Sequence, residues 1–393
     1  MNLLYLDWNS YCRRDVLEAF ATLGHSYTIY PLSETARMLG SDQKTSHEIY
    51  DVLTKNTYDF AFSMNYFPMV SDACERAGIP YLSWIYDNPY QKGYHVNIIN
   101  NCNYIFTFDS AMYEELTNQG VQTVYYAPMA ANADRLLSMG THTKNSKSPV
   151  HDISFVGSLY NEHHNFYDEF KSNALAAGKD YYIGYIDALI EMQLRLYGTD
   201  ILTKSIPKEI AESGFARINE WSELTSYFTT PEAIFADNVL CRKITAIERE
   251  QVLSRLSQYY PVALYTQNNT AKVGNCTNLG YVDYYNDSPA VFHNSKINLN
   301  ISLRSIKNGI PLRAIEIMGA GGFLLSNFQS DFLIHFEANQ DFVYYESIED
   351  AIEKAGYYLT HESEREQIAR NGWNKIKKYH TYETRIAEML SVL

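Results

Sequence analysis

"NGIPLRAIEIMGAGGFLLS", residues 308–326, holds a helix start, a helix stop and a strand in one short run. Pro311 suits the first turn of a helix, because its φ is preset and its missing N–H has no intrahelical partner there. Leu312, Ile315 and Gly319 share one face at i, i+3 and i+7, while Arg313 and Glu316 share another. Gly321 and Gly322 stop the helix, and "FLLS" reads as a short buried strand. The helix follows a polar loop, "SLRSIKNG", carrying Arg304, Lys307 and Asn308. Free N–H groups at a helix start with cations beside them favour an anion, phosphate above all.

The same strand–helix alternation extends in both directions. From the first residue "NLLYLDW", "SYTIYPL", "YDFAFSM", "IPYLSWIYD", "CNYIFTFDS" and "VQTVYYAPMA" read as strands separated by helical segments. Such alternation predicts a parallel sheet with helices on both faces. This first domain is expected to end near residue 140, and "SMGTHTKNSKSPVHD" (138–152) reads as a linker. "ISFVGSLY" opens a second αβ domain over about 150–380, interrupted by a helical insertion over about 162–257. The alternation resumes with "YPVALYT", "GYVDYY", "SKINLNIS", the opening helix, "GGFLLS" and "FVYYES". In the tail, 381–393, Ile386, Met389, Leu390 and Leu393 form an apolar stripe at helical spacing. The expected architecture is α/β, with two doubly wound, Rossmann-like domains.

With 393 residues, 46% hydrophobic and 20% charged, the chain is long enough for two cores. Its formal net charge of -14 argues against nucleic acid as a partner. No run of about 18 apolar residues predicts a membrane span, and the start has no signal-peptide pattern. The five cysteines are scattered and never spaced CxxC, which fits reduced thiols in a cytoplasmic protein. There is no D-x-D pair to hold a divalent metal, so no metal site is expected. His163 and His164 are adjacent and therefore point apart, as loop histidines rather than a metal pair. "GAGG" is no dinucleotide fingerprint, because position 324 is Leu and the glycines precede a strand.

Ligands of open parallel sheets bind outside the carboxyl ends of the strands. That rule selects "GSLYNEHH" (157–164), "SLRSIKNG" (302–309) and "SNFQSD" (326–331) in the second domain, and "DWNS" (7–10) and "YDNPY" (86–90) in the first. Asp87, at a strand end beside Trp84, is either a general base facing an acceptor hydroxyl or the cap of its own "DNP" turn. Arg313 and Glu316 are either ligand-binding groups or an i, i+3 surface pair.

"HNSKINLNISLRSIKNGIPLRAIEIMGAGGFLLSNF", followed by "DFVYYESIEDAIEKAGYYLTHESEREQIARNG", resembles the C-terminal half of a GT-B glycosyltransferase. The chain is most similar to the CgeB-like (spore maturation protein) group of that class, along nearly its whole length. The resemblance implies two Rossmann-like domains facing a cleft, with the last helix crossing back to the first domain. It also implies transfer of a sugar from a nucleotide diphosphate sugar, a UDP-sugar foremost, to a glycan, protein or small-molecule hydroxyl without a metal. Glu316 then matches the second glutamate of an E-x7-E pattern, which receives the ribose hydroxyls. The first glutamate is replaced by Asn308, which can hydrogen-bond a sugar but carries no charge. Gly157 and Ser158 match the turn that admits the donor's phosphates. The cation usual after that turn is missing, leaving Lys296, Arg304, Arg313 or the two histidines to compensate. A nucleotide-sugar epimerase of the same fold and a non-catalytic sugar-nucleotide-binding protein remain as alternatives.

Overall fold

Strands buried on both faces need helices on both sides, and the chain supplies them twice. The computed structural model describes residues 1–34, 42–141, 151–162, 165–215 and 228–393. It divides into two compact units. Unit 1 is Met1–Met129 with Phe215–Pro231 and Tyr382–Leu393; unit 2 is Ala130–Gly214 with Glu232–Thr381.

Unit 1 is built on β1 (Asn2–Asp7), β2 (Ser26–Pro31), β3 (Phe60–Met64), β4 (Tyr81–Ile85), β5 (Asn103–Thr107) and β6 (Val124–Tyr126). They pair in parallel in the order β2-β1-β3-β4-β5-β6. Every residue of β3 and β4 is buried, whereas β2 is an exposed edge. The helix Tyr382–Leu390 belongs to this unit and packs on the helix Arg13–Thr22. Its Tyr382 ring meets Trp84 edge-on at 6.0 Å. Ile386 and Met389 are buried, but Leu393 is 38% exposed, so the predicted stripe ends before the last residue.

Unit 2 is built on β7 (His151–Val156), β8 (Val262–Tyr265), β9 (Thr277–Asn278), β10 (Ser295–Asn300), β11 (Leu324–Asn327) and β12 (Val343–Tyr345). All pair in parallel, in the order β12-β11-β10-β7-β8-β9. The strand expected at "GYVDYY" is instead β9, just upstream. Asn278 Oδ1 accepts from the Gly280 N–H at 3.0 Å, and Gly280 at φ +85 turns the chain away. The boundary expected near 140 also moves. The helix Ala133–Thr141 packs on Ser288–Asn294 and Leu312–Gly319, which places it in unit 2. It occupies the start of the supposed linker, and residues 142–150 lie outside the described residues.

The glycine pair of the opening stretch has two separate reasons. Gly321 adopts φ +76, a left-handed conformation that ends the helix Leu312–Gly319. At Gly322 a Cβ would lie 2.6 Å from the Phe292 carbonyl and 2.7 Å from Asn298 Nδ2, so only glycine fits.

Candidate functional site

In both sheets the strand order reverses beside the first strand, between β1 and β3 and between β7 and β10. The carboxyl ends at such a reversal splay apart and leave a crevice. In unit 2 the two sides are tied by Arg249, from the helix Cys241–Leu256. Its Nη1 donates to the Ser158 carbonyl after β7, and its Nη2 to the Ile301 carbonyl after β10. Nε reaches Ile301 as well, at 3.1 Å. The residue is 8% exposed, with the rings of Phe155 and Tyr160 at 5.3 and 4.8 Å from its guanidinium. Burial pulls its pKa below the ordinary arginine value, yet an arginine remains charged. Asn268 completes the tie from the β8 side, accepting from Ser158 Oγ at 3.0 Å and Leu159 N–H at 2.7 Å.

Arg304 is the second buried cation at this end. Nε donates to Glu248 Oε2 at 2.6 Å, Nη1 to the Leu196 carbonyl at 2.7 Å, and the guanidinium lies 4.3 Å over Tyr197. Burial would lower its pKa, but the Glu248 carboxylate and Tyr197 outweigh burial and raise it. Arg304 Nη2, Glu248 Oε1 and Tyr345 Oη are buried without a hydrogen-bond partner among the described residues. Lys307 is held 3.4 Å from Asp200 and 4.0 Å from Asp237. The helical insertion thus grips the loop after β10. Its tip is Gly198 at φ +69, where a Cβ would lie 2.7 Å from the Phe328 ring.

Next along this loop come Asn308, half-buried with its carbonyl accepting from Asp331 N–H at 3.1 Å, and the uncapped start of Leu312–Gly319. Arg313 and Glu316 lie 3.8 Å apart. They are not a surface pair, because Glu316 is 3% exposed.

Gly157 and Ser158 therefore follow the carboxyl end of β7, and Arg304, Asn308, Arg313 and Glu316 follow that of β10. Lys296 does not. It is the second residue of β10 and pairs with Asp152 at 2.7 Å, at the amino end of the sheet. Gly157 needs no special conformation. A Cβ there would meet the Phe155 ring and Arg249 at ordinary contact distances of 3.5 and 3.9 Å. His163 and His164 lie outside the described residues. Among the described residues no group of three or more His, Cys, Asp or Glu could hold a metal ion. Arg249 and Glu248 are what the sequence reading missed. The available signal was two adjacent charges on the face that also carries Ile244, Thr245 and Val252, all buried.

In unit 1 the crevice is lined by amides and rings. Trp8 Nε1 donates to the Met64 carbonyl at 2.6 Å, and its ring stacks on Tyr86 at 5.9 Å. Asn65, at φ 60, accepts from the Tyr86 and Asp87 N–H groups at 3.0 and 3.2 Å. Its Nδ2 donates to Asp87 Oδ2 at 2.7 Å. Asp87 is exposed rather than enclosed, and Arg13 is paired with Asp7 at 2.7 Å.

Residues 249–391 match the glycosyl transferase-like family. The matched segment begins at Arg249 and includes Arg304, Asn308, Arg313 and Glu316. No curated protein matches the chain by sequence. Among solved structures, a glycosyltransferase from Rickettsia africae ESF-5 is similar over 100% of this chain and 97% of its own, with a TM-score of 0.54 at 11% identity. HepE of Anabaena in complex with UDP and glucose is similar over the whole of both chains, with a TM-score of 0.54 at 8% identity. Sucrose-phosphate synthase from Thermosynechococcus elongatus reaches 0.57 at 8% identity, over 100% of this chain and 98% of its own. At such identities the likeness is one of fold, and that fold is GT-B. Among the described residues no helix is long and apolar enough to cross a membrane.

Proposed function

We propose that the protein is a glycosyltransferase, and that unit 2 holds a nucleotide diphosphate sugar, a UDP-sugar foremost. The observation that carries this reading is the pair of buried arginines at the carboxyl ends of β7 and β10, inside the segment matching the glycosyl transferase-like family. HepE, similar in fold, binds UDP and glucose, which supports the same class of donor. Gly157 and Ser158 would admit the diphosphate, and Arg304 and Arg313 would balance its charge. Arg249 acts through the backbone it positions. Glu316, an acceptor-only group, would receive the ribose hydroxyls, and Asn308 a hydroxyl of the sugar.

In the reaction the bond between the anomeric carbon and the diphosphate oxygen breaks, and its electron pair leaves with the nucleoside diphosphate. A bond forms to the oxygen of an acceptor hydroxyl on a glycan, protein or small molecule. Asp87 is our candidate for the group that takes the hydroxyl proton. Because arginines supply the positive charge, transfer proceeds without a bound metal.

Incubation with UDP-, GDP- and ADP-sugars in EDTA, scored for free nucleoside diphosphate, tests the reading. Release from one donor class, together with a raised melting temperature, is the expected result. Neither release nor a thermal shift with any donor would overturn it. Conversion of the donor sugar without transfer would identify an epimerase instead. Activity lost on chelation and restored by manganese or magnesium would overturn the metal-independent account alone.

A further inference from the structure

Beside the crevice, unit 2 has an open pocket of about 320 Å³ that the donor reading does not use. It lies between the segment after β7, the loop after β8 and the helices Phe166–Ala176 and Cys241–Leu256. This is the lower end of the ligand-pocket range, about 300–1,000 Å³, and suits a small ligand better than a whole nucleotide sugar.

Among the described residues each charge around it faces an opposite one. Glu162 pairs with Arg242 at 3.1 Å, Asp168 with Lys243 at 3.4 Å and Glu250 with Lys272 at 3.9 Å. An added ion would compete with these contacts. A neutral ligand bearing many hydroxyls can instead bridge the pairs without uncovering a charge. Amides complete the lining. Asn161 donates to Glu250 at 3.2 Å and to the Asn269 carbonyl at 2.8 Å.

Apolar contact comes from Phe166, which lines the pocket yet is 46% exposed. A bare ring beside planar polar groups suits the C–H face and hydroxyl edge of a pyranose. The wall also carries two backbone irregularities. Tyr160 sits at φ 55, and a π-helical turn spans Ala236–Leu240; both recur at functional sites. Tyr160 is approached by Arg242 at 4.9 Å and by Arg249, the tie of the donor crevice, at 4.8 Å.

We propose that this pocket is a second binding site in unit 2, for a neutral pyranose sugar. It rests on the glycosyl-transfer reading for what the sugar is used for, and on the pocket alone for the binding. The sugar is either free or the terminal unit of a glycan. Saturation-transfer NMR on the full chain tests this with glucose, galactose and N-acetylglucosamine, and with maltotriose and chitotriose. At least one probe should receive saturation. Phe166→Ala should weaken its binding by about tenfold, within the reach of one aromatic contact, at unchanged melting temperature and UDP affinity. Tighter binding of a trisaccharide supports a glycan source; equal binding supports a free sugar. No saturation of any probe, or equal affinity in the variant, would overturn the proposal. UDP calorimetry on the same sample keeps the two ideas apart, since absence of UDP binding sinks the donor reading whatever the sugars do.

Discussion

In unit 1 the loops after β1 and β3 are held by an indole N–H, the amide of Asn65 and stacked rings. In unit 2 the loops after β7 and β10 are held by one guanidinium reaching two carbonyls. Both sheets are parallel and reverse order beside their first strand, so topology does not account for the contrast. The difference lies in the charge that each crevice offers. Both arginines are ion-paired, Arg13 with Asp7 and Arg304 with Glu248, but the Arg13 side chain is 38% exposed and that of Arg304 only 8%. A buried cation is a place for an anion, and a crevice of amides and rings is a place for a neutral hydroxyl compound. The fold thus supplies two crevices, and on the proposed reading their side chains suit different ligands.

The largest effect should come from Arg249. Replacing it by Met leaves the Ser158 and Ile301 carbonyls without their donor and should destabilise unit 2 by about 3–5 kcal/mol. Arg249→Lys should recover little, because one ammonium cannot reproduce the fork. Melting curves and UDP calorimetry check both variants. If stability falls but UDP still binds the folded variant with unchanged affinity, Arg249 is a structural tie only and the contrast with unit 1 loses its functional meaning.

Asp87→Asn should act oppositely. The amide can keep the contact with Asn65, so melting and UDP affinity should stay where they are. Turnover should fall by about 10²–10⁴, the usual contribution of a general base. Unchanged turnover would leave the unit 1 crevice without a proton-accepting role.

Legibility in the sequence followed the physics of each feature. Period and glycine spacing are local, so the alternation, Gly321 and the helix around Glu316 could be read directly. Charge partners are not local. Lys296 counted as a cation that could compensate at the phosphates, but β10 places it at the amino end, beside Asp152. Nothing local marks the partners of Arg249, and only the packing of the helix Cys241–Leu256 turns its guanidinium onto Ile301, far along the chain. The asparagines of "KINLNIS" were equally opaque. Asn298 pairs with Ser154 at 3.0 Å and Asn300 with Ser326 at 2.9 Å, a buried polar ladder across three strands.

The smallest effect should come from Glu316→Gln, and it is the sharpest test of the donor site. Glu316 is 3% exposed and its carboxylate lies 3.8 Å from Arg313, so the swap preserves shape while removing a buried charge. Loss of a charge-assisted contact to ribose should cost about 1.5–3 kcal/mol of UDP affinity. A stability change alone would produce no preference among nucleotides, which is why the sugar of the nucleotide decides the matter. If Glu316 receives the ribose hydroxyls, the wild-type protein should bind 2′-deoxy-UDP more weakly than UDP. The variant should then bind the two almost equally, because the partner of the missing hydroxyl is already gone. Calorimetry with both nucleotides and both proteins closes this cycle. A variant that discriminates between the nucleotides as strongly as the wild type would remove Glu316 from the ribose and leave it as the buried counter-ion of Arg313.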